Sequence, residues 1–356
     1  MTSVPTRVKA TLSFRTIGAV YVWLVIVVLF SVWAPDTFPT AITVKQVLNG
    51  NAVAGLVALS VVPPLAARVF DLSVAYTMSL TSVLTAHFLV STGLGPFTAI
   101  ALAMAAALLV GVVNALVVVV LRVDSFIATL ATGALIQSLI TMVTNDSSVT
   151  GVQLLAKPFA SIAQLDAGGI TLPVLYMLLA ALAIWFVLEH TATGRRLYAT
   201  GFNSDAARLQ GVRTDRLRFG TLVASALLSG FAGVVFASSV GSGSPTAGSP
   251  YLLSAYAAAF VGATQLRAGR FNAWGTVIAV LLLGTGITGL GLATSAQWAA
   301  SLFTGSVLIV ALVLTGGRIA LPTVLRRRTG KLPGPAQPEG SSDDESRAVP
   351  AGGSRA

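Results

Sequence analysis

The sequence predicts an all-α, polytopic membrane protein with about ten transmembrane helices. Three observations lead there. Of the 356 residues, 55% are hydrophobic and only 10% are charged, against about a quarter charged in ordinary soluble domains. The apolar residues fall in runs long enough for a hydrocarbon core roughly 30 Å thick, which takes about 20 helical residues. The basic residues fall in every second gap between those runs, the pattern that keeps Lys and Arg on the cytoplasmic side.

The first run, at about 17–34, follows Arg7, Lys9 and Arg15. It is longer than a signal-peptide core and no small-x-small cleavage pattern follows, so it reads as a retained helix. The second and third runs, about 46–66 and 70–91, flank Arg68, and the fourth and fifth, about 96–120 and 126–144, flank Arg122. The sixth, about 170–189, ends at Glu189 and His190, an interfacial pair. The seventh, about 217–240, follows the most basic internal loop. The eighth, about 251–265, is short and interrupted by small residues, which suits a tilted or partly re-entrant segment. The ninth and tenth lie at about 271–291 and 296–316, after Arg267 and Arg270. With the N-terminus inside, only Lys45 and Lys157 of the 22 Lys and Arg residues fall outside. Losing one helix would scramble this segregation, so charge supports the even count independently of hydropathy.

These runs divide the chain into an N-terminal segment (1–16), a membrane domain (17–316) and a basic segment with a tail (317–356). Within the membrane domain, the outer loop at about 145–169 is long enough to carry local structure. The internal loop at 190–216 is the longest on the cytoplasmic side. From about Thr329, Pro, Gly, Ser, Asp and Glu replace the apolar residues. Such a composition buries too little apolar surface to offset ordering entropy and predicts disorder.

Several chemistries are excluded. Gly330-Lys331 is followed by Leu332, and no phosphate-binding G-x-x-x-x-G-K-[ST] loop occurs, so the chain lacks the cradle that nucleotide hydrolysis needs. It has no Cys and only His87 and His190, without an H-E-x-x-H pair, so no metal site and no catalytic residue is expected. Acidic residues are nearly missing from the span interiors, where ion-coupled carriers place ionisable groups. The net charge of +10 belongs to loops beside apolar helices, so membrane lipid and topology account for it and nucleic acid does not. Asp71 stands near Arg68 at the start of the third run. It reads as a local ion pair, as a helix cap, or as a substrate contact. Asn49, Asn51, Asn114 and Gln137 either line a cavity or bond between helices.

The internal loop carries Gly201-Phe202-Asn203-Ser204-Asp205-Ala206-Ala207-Arg208-Leu209-Gln210-Gly211. Asn203 or Ser204 suits an N-cap, Asp205 a first turn, and Gly211 a stop. Ala206, Ala207 and Leu209 give the short helix a small apolar face, as a docking knob or as a helix resting on lipid. This G-x-N-x-x-A-A-x-x-x-G segment resembles the cytoplasmic coupling loop of ABC-importer permeases, and in particular those of the ribose and monosaccharide importers. Phe70-Asp71-Leu72-Ser73-Val74 is similar to that branch's I-D-L-S-V-G, Ser125-Phe126-Ile127-Ala128-Thr129-Leu130 to its P-S-F-I-A-T-L, and Pro245-Thr246-Ala247-Gly248 with Tyr251 to its Q-P-T-A-G-x-x-Y. All four stand in the family's order.

The resemblance implies a type II ABC-importer-like permease in a bacterial plasma membrane, with both termini cytoplasmic. It implies no cofactor in this chain, separate ABC ATPase subunits that use ATP and Mg, an extracytoplasmic solute-binding protein, and a second permease copy or a paralogue. Gly201, Asn203, Asp205, Ala206, Ala207, Arg208 and Gly211 would form the coupling loop. Asp71, Ser73, Phe126, Thr129, Pro245, Thr246 and Tyr251 would belong to the translocation path or its gate. The solute would be a monosaccharide or a related small polar molecule; branched-chain amino acids, nucleosides or an ATP-independent carrier are the alternatives. The chain departs from the pattern where Arg68 and Val69 replace a Gly-Gly pair, and where Pro63 and Pro64 interrupt a normally unbroken stretch.

Overall fold

A computed structural model describes residues 14–266, 269–294 and 297–315. Most of the expected N-terminal segment and the whole tail lie outside the described residues. Each of the ten predicted runs coincides with a helix. These are α1 (Phe14–Trp33), α2 (Ala41–Ser60) continued by α3 (Val62–Ala66), α4 (Val74–Val90), α5 (Pro96–Ala115), α6 (Ser125–Thr144), α8 (Leu172–Trp185), α11 (Thr214–Val240), α12 (Ser249–Ala263), α13 (Ala273–Thr294) and α14 (Gln297–Thr315). The short α7 (Ser161–Gln164) lies in the outer loop, and α9 (Ala192–Phe202) and α10 (Ser204–Leu209) lie in the internal loop. Six stretches are long and apolar enough to cross a membrane: Ala41–Ala66, Pro96–Val120, Ser125–Thr144, Leu172–His190, Thr214–Val240 and Ala273–Thr294. Two of these extend their α-helices by π turns, Leu116–Val120 after α5 and Phe186–His190 after α8.

Local sequence sets the breaks. Pro63 and Pro64 have no N–H to donate, and the ladder of α2 stops at Ser60 before α3 restarts. The third run is shorter than expected: residues 69–73 are non-helical and α4 begins at Val74. The eighth run is a continuous helix of 15 residues, about 22 Å long.

The interior is built by close approach of small residues. α11 packs along α4 and α5, while α2 lies against α8, α11, α12 and α13. A Cβ on Gly233 of α11 would strike the Met78 carbonyl and the Thr81 hydroxyl of α4. Next to it, Thr81 Oγ1 donates to the Gly230 carbonyl at 2.9 Å. Where lipid supplies no hydrophobic drive between helices, such packing and bonding hold them together. Leu56, Leu59, Met78, Met177, Val235 and Leu283 belong to one continuous hydrophobic core, which also takes in Tyr256. α1 is fastened to α13 by Trp23 Nε1 donating to Thr285 Oγ1 at 2.9 Å. Leu and Val side chains on α1, α5, α6 and α8 face outward.

The outer loop carries the local structure its length predicted. β1 (Val149–Thr150) pairs antiparallel with β4 (Ser242–Gly243), in the register Val149 to Gly243 and Thr150 to Ser242. β2 (Asp166–Ala167) and β3 (Ile170–Thr171) form a hairpin. After β4 the chain runs alongside α4. A Cβ on Gly243 would lie 2.5 Å from that of Ala86, and one on Gly248 would strike the Ala75 carbonyl. Ala75 and Ala86 are about 16 Å apart along the helix axis. The connection therefore descends most of the length of α4 before α12 begins. Pro245, Ala247 and Gly248 are buried there, as irregular backbone at membrane depth requires.

Candidate functional site

The internal loop holds two helices where the sequence suggested one. Thr191 caps α9, its hydroxyl accepting from Gly194 N at 3.2 Å. Asn203 caps α10, its Oδ1 accepting from Asp205 N at 3.1 Å and Ala206 N at 3.0 Å. Gly211 ends the unit at φ 79°. There Gly211 N donates to Arg208 O at 2.9 Å and Val212 N to Ala207 O at 3.0 Å. Arg208 turns back onto the start of α11, its Nε donating to Thr214 Oγ1 at 2.7 Å and its guanidinium pairing with Asp215.

The expected apolar face of Ala206, Ala207 and Leu209 does not exist as one surface. Ala207 is buried, Ala206 is exposed and Leu209 is 89% exposed. Residues two apart on a helix point in nearly opposite directions, so Ala207 and Leu209 cannot share a side. Leu209 instead joins Phe202, 87% exposed at the end of α9, as a protruding apolar group. The inner side of the loop is fixed to the helical body. A Cβ on Gly201 would strike the Ala66 carbonyl at the end of α3. Tyr198 Oη donates to Phe271 O at 2.8 Å.

The second group surrounds the non-helical segment before α4. Three consecutive backbone donors are met by side chains. Phe70 N donates to Ser125 Oγ, Asp71 N to Tyr256 Oη and Leu72 N to Thr129 Oγ1, each at 3.0 Å. Asp71 is fully buried. Its Oδ1 accepts from Ser73 N at 3.1 Å and Ser73 Oγ at 2.6 Å, and Asn114 Nδ2 donates to Ser73 Oγ at 2.7 Å. Of the readings offered for Asp71, the cap-like bond to Ser73 is present. The ion pair with Arg68 is not present: the Asp71 carboxylate bonds to Ser73 instead. The buried Ser225 hydroxyl faces the Asp71 carboxylate, and Asn114 Oδ1 is buried without a hydrogen-bond partner. Phe70 stacks on Tyr256 at 6.3 Å and meets the half-exposed Phe126 edge-on at 6.1 Å.

The third group lies in the descending connection. Pro245 is buried and Thr246 exposed. Gly248 N donates to Ser79 Oγ at 2.9 Å, and Tyr251 meets Phe236 edge-on at 6.4 Å. The structure brings Asp71, Ser73 and Thr129 into one hydrogen-bonded cluster with Asn114 and Tyr256. Phe126 lies at its rim; Pro245 and Thr246 stand on the connection before α12, and Tyr251 lies in the first turn of α12, the helix that also carries Tyr256. Asn114 bonds between helices, one of the two readings given for it; Tyr256 has no signal in the sequence, because its partner lies 185 positions away.

The four polar span residues also separate. Asn49 bonds to Gly169 O and Thr171 N, Asn51 to Val47 O and Asn114 to Ser73. Gln137 Oε1 is buried and has no hydrogen-bond partner.

Residues 43–312 match the family described as the branched-chain amino acid transport system, permease component. The chain is 32% identical over 296 residues to the ribose import permease protein RbsC of Bacillus subtilis (strain 168), covering 82% of this chain and 89% of that one. It is 27% identical over 301 residues to the D-allose transport system permease protein AlsC of Escherichia coli (strain K12), covering 83% and 90%. It is 28% identical over 321 residues to the L-arabinose transport system permease protein AraH of the same strain, covering 86% and 93%. A helical chain with six membrane-length apolar stretches, matched along nearly its whole membrane domain, belongs to the permease components of ABC importers, in their ribose and monosaccharide branch.

Proposed function

We propose that this chain forms the membrane passage of a monosaccharide importer and is worked from the cytoplasm by separate ABC ATPase subunits that use ATP and Mg. The observation that carries the reading is the internal loop. Its outer side presents Phe202 and Leu209 to a partner, and its inner side seats Gly201 against the Ala66 backbone. A push on the first is delivered to α2 and α3 without slack. Gly201, Asn203, Asp205, Ala206, Ala207, Arg208 and Gly211 make up this coupling loop. They shape and brace it and do no chemistry.

In this reading the membrane domain crosses the bilayer ten times, with the irregular connection and α12 together making the eighth crossing. Both termini are cytoplasmic, the tail from 317 included. A second permease copy or a paralogue completes the passage, and an extracytoplasmic binding protein delivers the solute. The cluster of Asp71, Ser73, Thr129 and Phe126 acts as the inner gate, where broken helices let backbone and side chains line a path. Pro245, Thr246 and Tyr251 stand on the outer approach. Sugar specificity is supported by the relatives, which are named for ribose, allose and arabinose. The broader family description names branched-chain amino acids, which makes them the second reading.

The test is reconstitution of the chain with its ATPase and binding protein in liposomes. ATP-dependent accumulation of one or more of ribose, allose, fructose and arabinose is expected, and none of leucine. Leucine accumulation, or sugar accumulation by this chain without the ATPase, would overturn the proposal.

A further inference from the structure

Gln137 is the thirteenth residue of the 20 in α6, about 18 Å from its start and near the middle of a span. It lines a groove of about 590 Å³ with Tyr76, Ala134, Ser138, Thr141 and Met142. Positions 134, 137, 138 and 141 recur at helical spacing and share one face of α6. The opposite wall is Tyr76 of α4. A Cβ on Gly133 would strike the carbons along one edge of the Tyr76 ring, so the ring fits the space left by the missing side chain.

The groove offers polar groups of both kinds, because the Gln137 amide NH2 and the Tyr76 hydroxyl can donate. Ser138 Oγ donates to Ala134 O at 3.0 Å, and Thr141 Oγ1 donates to Asp146 Oδ1 at 3.1 Å. Both hydroxyl hydrogens are committed, which leaves the two oxygens as acceptors. Gln137 Oε1 is buried and unpartnered beside them. An amide oxygen left in hydrocarbon without a donor is costly, and polar side chains in spans face the bundle interior or water. Two hydroxyl oxygens and an amide beside an aromatic ring suit a molecule that brings hydroxyls, which both donate and accept, on one edge and C–H surface on its face.

We propose that Tyr76, Gln137, Ser138 and Thr141 form the stretch of the translocation path that contacts a polyhydroxyl solute, with Gln137 as the specificity-determining residue. This inference rests on the sugar-importer reading and names the place where that importer reads its cargo.

Two measurements on the reconstituted transporter test it. The chain has no cysteine, so Ser138→Cys and Thr141→Cys report wetting directly. Both should react with a membrane-impermeant thiol reagent in at least one of the ATP-free and vanadate-trapped states, and Leu135→Cys should not. Gln137→Leu should lower sugar uptake at least tenfold and shift preference among singly deoxygenated sugars, with the dimer mass retained. Wild-type uptake by Gln137→Leu, unreactive cysteines in both states, or dissociation of the permease pair on mutation would overturn the inference. Absence of sugar uptake by the wild type would instead strike the functional reading, and the cysteine labelling would still decide whether the groove is wet.

Discussion

Arg68 has a φ of 55°, the left-handed region where a Cβ costs roughly 1–2 kcal/mol. The resemblance places a Gly in this stretch, and the backbone shows why one belongs there. Arg68→Gly is expected to leave the fold intact and to raise thermal unfolding stability by about 1 kcal/mol, less the entropy that Gly adds to the unfolded chain. A fall in the midpoint for the detergent-solubilised chain would show that the side chain contributes more than the backbone gives up. Residue-scale features were legible where they were local. The Asn203 cap, the Asp205 first turn and the Gly211 stop all lie within one helical turn of what they act on. The setting of Asp71 was not, because Tyr256 and Thr129 come from distant helices and nothing in the sequence pairs them with the amides of Asp71 and Leu72.

At the scale of elements, the internal loop is a two-helix unit clamped at three places: Gly201 on Ala66, Tyr198 on Phe271, and Arg208 on Thr214 and Asp215. The exposed Arg208–Asp215 pair contributes well under 1 kcal/mol to stability; its use is geometric. Ala207 is buried against this clamp. Ala207→Leu should push α10 off its seat and cut transport at least tenfold while ATP hydrolysis continues, measured as sugar moved per ATP split. An unchanged ratio would mean that the seat of α10 does not matter. The sequence suggested α10 from its caps but not α9, whose Arg195, Arg196 and Gly201 read as loop. It also flagged the eighth segment as short. Descent of the chain along α4 became visible only from the contacts of Gly243 and Gly248.

For the whole molecule, hydropathy was the guide: each predicted apolar run coincides with a helix, and six stretches are long and apolar enough to cross a membrane. Periodicity could not say which faces meet, because these helices are apolar nearly all round and small residues decide the contacts. One of them joins the two sides of the protein. α11 is 27 residues long, about 40 Å. Its first residue receives Arg208. Near its far end Ser238 Oγ donates to Phe159 O at 2.8 Å and accepts from Ala163 N at 3.1 Å. An unbroken rod held at both tips has no way to keep news from one face away from the other. Thermodynamic reciprocity then fixes a number: whatever factor a loaded binding protein applies to nucleotide affinity inside, nucleotide must return to binding-protein affinity outside. Titrating each against the other in lipid nanodiscs should give equal factors above one. A factor of one in both directions would mean that the rod carries no signal.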